Sequence, residues 1–180
     1  LLNMAKYSMN YFVKAAGIVL LVCLSIPFTH AESNKVDSLK KSLPGAAARE
    51  KKKINYLIGS EYLESVADSA IHYYNEALKL SLQLNNDTFC ARCLNKIGNL
   101  NYYAGEYEKA IGNLYSAMKI FERINDKHRT MVCLQYLHMA YNEQGMYDKA
   151  LDYAKQSLEI AKEIGDSSAM AIGMIQIGSV

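Results

Sequence analysis

The feature that most constrains this chain is its likeness to itself at a shift of 40 residues. Ala70, Ala110 and Ala150 coincide, and Ile71, Ile111 and Leu151 follow them. Leu78, Met118 and Leu158 match in type, as do Leu80, Ile120 and Ile160, then Leu84, Ile124 and Ile164. Asn86, Asp126 and Asp166 mark the end of each unit. Upstream, Leu94, Leu134 and Met174 agree, as do Ile97, Leu137 and Ile177. Gly105-Glu-Tyr107-Glu-Lys-Ala110 recurs as Gly145-Met-Tyr147-Asp-Lys-Ala150. A period of this length belongs to repeat architectures. The apolar spacing inside each unit is near 3.6, and no proline follows Pro44. Proline breaks helix interiors, so the array is free to be helical throughout.

Each unit then has a physical meaning. A first helix (88–103, then 128–143) carries Leu94, Ile97 and their equivalents inward. Gly105 or Gly145 turns the chain, because glycine tolerates the left-handed conformation that ends a helix. A second helix (106–124, then 146–164) packs back through the small Ala110 or Ala150. Asp126 or Asp166 is placed to cap the next helix. One hairpin cannot bury both faces, and each large apolar side chain buried is worth about 1.5–3 kcal/mol. Stability therefore belongs to the stack. The first unit is one residue short between Gly59 and Ala70, with the deletion in Leu63-Glu-Ser-Val66. End repeats are often atypical in this way.

The pattern Leu94…Ile97-Gly98…Asn101…Gly105-Glu-Tyr107…Ala110…Leu114…Ala117 resembles the tetratricopeptide repeat family in a 40-residue form. The resemblance covers about residues 49–180 and implies an all-α solenoid of antiparallel helix hairpins: 49–87, 88–126, 127–166 and a partial 167–180. The family's proline after the second helix is replaced by Asn-Asp or Gly-Asp. The layout is similar to exported bacterial members whose array precedes a membrane helix and a histidine kinase or transcriptional regulator. Chaperone-binding members clamp a peptide carboxylate with Lys, Asn, Asn, Lys and Arg. Of that set only Asn99 fits here, and Val132 and Tyr136 stand where its third-repeat cations would be, so that particular site is not expected.

The N-terminus follows other rules. Lys6 and Lys14 precede an uncharged run, Ala15 to Ile26, then Pro27 and Thr29-His30-Ala31, with no acid before Glu32. This reads as a signal peptide over 1–31, cleaved before Glu32. The run is shorter than the roughly 20 apolar residues that span a bilayer. A lipoprotein reading through Cys23 is disfavoured by Val22. Loss of Lys6 and Lys14 leaves 18 basic and 18 acidic residues. A neutral chain has no global field for nucleic acid. Residues 32–48 read as a linker with one short helix, Val36, Leu39 and Leu43 on one face, stopped by Pro44-Gly45. The basic cluster of Lys40, Lys41, Arg49, Lys51, Lys52 and Lys53 reads as a solvated face. Residue 1 is Leu, with Met4 or Met9 the expected start, and Val180 falls inside the first helix of a fourth unit. Both ends are expected to be cut. Ile172, Ile175 and Ile177 should lack a covering helix, giving a possible dimer through residues 167–180 and a membrane tether through a missing C-terminal part.

Cys90 and Cys93 form a C-x-x-C. Cys93 and Cys133 are one period apart and Gly173 follows, so the slot reads as close packing between first helices. A thiol redox pair is the alternative, and a zinc site lacks further ligands. His138 stands in the slot of Gly98 and Gly178. Ala154 replaces Leu114, and Ala161 replaces Phe121, which reads as a compensated core histidine. His72 and His128 form no constellation with it. First helices line the concave groove of such arrays. That groove should display Asn95, Asn99, Tyr102, Gln135, Tyr136, Met139 and Asn142. Amide and phenol groups suit an extended peptide, whose backbone needs donors and acceptors. Acids such as Glu106, Glu108, Asp148 and Asp152 lie beside Lys109 and Lys149 and suit solubility.

No catalytic residue, cofactor or metal site is expected. The expectation is a protein or peptide partner, held by an exported scaffold in the periplasm or cell envelope. The scaffold would be the sensory array of a longer signalling protein. The alternatives are a free-standing periplasmic adaptor and a thiol redox protein using Cys90 and Cys93.

Overall fold

The computed structural model describes residues 34–62 and 66–179. The signal peptide over 1–31 lies outside these, as do residues 63–65 of the segment Leu63-Glu-Ser-Val66 that carries the deletion. The chain divides into two compact units, Leu1–Pro44 and Gly45–Val180. In the first, helix α1 covers residues 34–42 and stops two residues before Pro44. Val36 is buried, while Leu39 and Leu43 are half-buried.

Among the described residues, the second unit is built from seven helices. They are α2 (Ala48–Glu61), α3 (Ala67–Gln83), α4 (Asp87–Tyr103), α5 (Tyr107–Arg123), α6 (Lys127–Glu143), α7 (Tyr147–Ile164) and α8 (Ser167–Gly178). All regular structure among the described residues is helical. Within this unit consecutive helices from α2 to α8 pack on one another, and α4 also touches α6. This is the contact pattern of stacked hairpins.

The turns explain why the helices end where they do. After α4, Glu106 N–H donates to Asn101 O at 2.8 Å and Gly105 N–H to Tyr102 O at 3.0 Å. This doubled closure needs a left-handed residue, and Gly105, Gly145 and Gly165 sit at φ +75, +70 and +71°. At the turns after α3 and α5 the same place is held by Asn85 (φ 48°) and Asn125 (φ 56°). Asparagine is among the few side chains that visit this region. The next residue then caps the following helix. Asn86 Oδ1 accepts from Phe89 N–H, Asp126 Oδ1 from Arg129 N–H, and Asp166 Oδ1 from Ala169 N–H.

The crossings of the hairpins depend on small residues. Ala70, Ala110 and Ala150 are fully buried. A Cβ at Gly98 would meet Leu114 Cγ at 2.7 Å, and one at Gly59 would meet Tyr74 Cδ1 at 3.1 Å. Gly59 faces a residue 15 positions on, where Gly98 faces one 16 on, which is the single-residue shortening seen in the sequence. In the third hairpin His138 occupies the glycine slot and is buried, with Nδ1 3.1 Å from Ala150 O. Space for its ring comes from Ala154, fully buried where the second hairpin has Leu114. Helix α8 turns Ala169, Gly173 and Gln176 inward and leaves Ile172, Met174 and Ile175 46%, 60% and 71% exposed.

Candidate functional site

The predicted groove residues fall on two first helices. On α4, Asn95, Asn99 and Tyr102 recur at four- and three-residue spacing and so share one face. On α6, Gln135, Met139 and Asn142 do the same, with Tyr136 beside them. All seven are half-buried.

Aromatic contacts join the two helices at one end of this face. Tyr102 meets Tyr136 edge-on, with ring centres 5.9 Å apart. Tyr103 approaches the same ring at 6.1 Å, and its hydroxyl lies 3.1 Å from that of Tyr136. Burial and the neighbouring Tyr103 hydroxyl push the Tyr136 phenol well above its ordinary range. Tyr103 is 70% exposed, so this edge of the groove is rimmed by an open phenol ring. Sequence spacing selected Tyr102 and missed Tyr103. The available signal was that Tyr103, like Tyr102, is not fixed by the period.

The amides divide into two roles. Asn95 Nδ2 donates to Cys133 Sγ at 3.3 Å and ties α4 to α6. Asn99 Oδ1 and Asn142 Oδ1 are shielded from solvent and accept no hydrogen bond. Buried carbonyl oxygens are normally paired, and leaving one unmade costs about 1–3 kcal/mol. Both atoms lie on the predicted groove face, one on α4 and one on α6.

At the other end the sequence reading needs a correction. Arg49, Lys41 and Lys53 are exposed, as a solvated face requires, but Lys52 is only 3% exposed. Its Nζ lies 4.4 Å from the centre of the Phe89 ring. Arg92 covers the same ring at 5.1 Å and Tyr56 at 4.8 Å. Tyr56 and Phe89 meet edge-on at 5.2 Å. The spacing within α2 could not reveal this, because the ring that draws Lys52 inward comes from α4.

Among the described residues, Cys90, Cys93 and Cys133 are buried and form no disulfide. Burial pushes Cys93 and Cys133 up to about 12, and burial with the nearby Asp87 raises Cys90. A reactive cysteine needs the opposite shift, toward thiolate near neutral pH.

Residues 89–163 match the family model described as Tetratricopeptide repeat. No curated protein matches the chain. Several solved structures share its fold. BtubC from P. vanneervenii is 20% identical with a TM-score of 0.74, over 85% of this chain and 65% of that one. A Rap protein in complex with competence and sporulation factor is 23% identical with a TM-score of 0.63, over 68% of this chain and 34% of that one. A signal transduction ATPase with numerous domains and a tetratricopeptide repeat sensor, from Pyrococcus horikoshii, is 20% identical with a TM-score of 0.69. The match covers 78% of this chain and 22% of that ATPase. The chain thus spans less than two thirds of each of these proteins. At such identities the likeness is one of fold.

Proposed function

Because the chain carries tetratricopeptide repeats, we propose that it is a non-catalytic scaffold whose concave face, along α4 and α6, holds an extended segment of a protein partner. The observation that carries this reading is the pair of unpartnered carbonyl oxygens, Asn99 Oδ1 and Asn142 Oδ1, beside the Tyr102–Tyr103–Tyr136 cluster. Acceptors without partners are costly in a free protein and useful in a bound one. Aromatic side chains supply contact area at small entropic cost. The Rap protein solved in complex with competence and sporulation factor supports a bound partner by analogy of fold.

On this proposal the chain is exported and works in the periplasm or cell envelope as the sensory array of a longer signalling protein. Lys6, Lys14, the apolar run and Thr29-His30-Ala31 support export. The tetratricopeptide sensor of the P. horikoshii ATPase supports a sensory role.

The test is site-specific photocrosslinking in the native host. A photoreactive residue at Tyr103 on the groove should trap a discrete partner, and the yield should fall at least fivefold in Asn99→Leu. The same residue at Tyr115, on second helix α5, should trap none. Equal trapping from both positions would remove the groove from the account.

A further inference from the structure

The first-helix face does not end at Asn95. One turn earlier on α4 stands Arg92, and across from it on α2 stands Lys52. These two cations share the ring of Phe89, at 5.1 and 4.4 Å, and neither meets a carboxylate. Ion pairs elsewhere in the array use other partners, among them Arg123 with Asp87, Lys127 with Glu163, Arg129 with Asp126, and the local pairs of Lys109, Lys119 and Lys162. After burial, the largest influence on Lys52 is Arg49, a charge of its own sign. A lysine 3% exposed beside like charges is an expensive arrangement. The ring face returns part of that cost, about 0.5–2 kcal/mol. Burial and Arg49 hold the ammonium below its ordinary pKa, as expected of a cation without a counter-charge.

We propose that Lys52 and Arg92 form an anion subsite of the groove, and that its occupant is the carboxylate of an acidic residue or C-terminus on the bound peptide. This deepens the peptide-groove reading and rests on it. The positions differ from the third-repeat pair, Val132 and Tyr136, that a chaperone-type clamp would use. The guanidinium of Arg92 can take a carboxylate in a two-point grip, and Lys52 adds a point charge. Tyr56 and Phe89 beneath them offer an apolar floor for the neighbouring side chain. The peptide is thereby oriented. Its negative group lies over α2 and α4, and its backbone runs past Asn95 and Asn99 toward Asn142.

A randomised ten-residue peptide library, selected on the full chain, tests this. Recovered peptides should be enriched in Asp, Glu or a free C-terminal carboxylate. In fluorescence anisotropy, a selected peptide should bind Lys52→Met and Arg92→Met at least tenfold more weakly. Replacing its acid with the amide should cost the same tenfold, and no more when combined with Lys52→Met. Lys52→Met should fold with unchanged helicity and a raised Tm, because a buried unpaired charge has been removed. Selected peptides without acids, or equal binding by Lys52→Met, would overturn the subsite and leave the groove standing. Binding of phosphoserine peptides but not of their Glu counterparts would also overturn the carboxylate assignment. Failure of the intact chain to select any peptide would overturn both the subsite and the groove.

Discussion

At the scale of single residues, the array depends on positions where size or charge is tightly limited. Ala110 and Ala150 are fully buried at the helix crossings, so added volume has nowhere to go. Ala110→Leu should overpack the second hairpin and cost about 1–3 kcal/mol. Thermal denaturation measures this, and an unchanged Tm would show that the repeat register is misplaced. Buried acids set the alkaline limit. Burial pushes Cys93, Cys133 and Tyr74 up to about 12 from ordinary values of 9.0, 9.0 and 10.0. The folded state holds these protons more tightly than the unfolded one. The stability they confer is therefore complete below pH 9 and is lost as pH rises toward 12. Urea midpoints should fall across that window. In native protein at pH 8 the same thiols should react with Ellman's reagent far more slowly than in guanidine. Rapid native reaction of Cys90 and Cys93 would revive the redox alternative. Residue by residue, sequence legibility was uneven. His138 could be read as a core residue because its compensation, Ala154, stands at a fixed offset. The burial of Lys52 could not, since it depends on Phe89 across a helix pair.

At the scale of elements, the period set nearly everything. Helices α4 to α7 lie within two residues of the ranges expected from apolar spacing and the Gly105, Gly145 and Asp126 signals. The left-handed Asn85 and Asn125 were less legible, because asparagine is permitted in that conformation without being diagnostic of it. The groove face was legible as spacing, but not its division of labour. Only the assembled hairpins show that Asn95 ties α4 to α6 while Asn99 and Asn142 keep free acceptors. Helix α8 carries its own prediction. Its Ile172, Met174 and Ile175 form an exposed apolar strip on a segment without charges. A contiguous strip of this kind promotes association. The chain from Glu32 onward should dimerise or aggregate through residues 167–180 and bind an apolar dye. Ile172→Lys with Ile175→Lys should restore a monomer. Light scattering decides it, and a monomeric parent without dye binding would refute it.

At the scale of the whole molecule, the array is one stack, and the proposed function uses the first-helix face. Small residues at the crossings hold hairpins together, while Asn99 and Asn142 on the first helices keep solvent-shielded oxygens without a partner. The export proposal belongs here too. N-terminal sequencing of the secreted product should return Glu32 as the first residue, and an uncleaved, membrane-embedded chain would contradict it. The central claim is that the first helices hold an extended peptide. The most direct measurement is a crystal structure of the chain with a library-selected acidic peptide. The account predicts an extended peptide along α4 and α6, its N–H groups on Asn99 Oδ1 and Asn142 Oδ1 and its carboxylate between Lys52 and Arg92. A peptide seated on the second helices α5 and α7, or on the apolar strip of α8, with the groove empty, would contradict it.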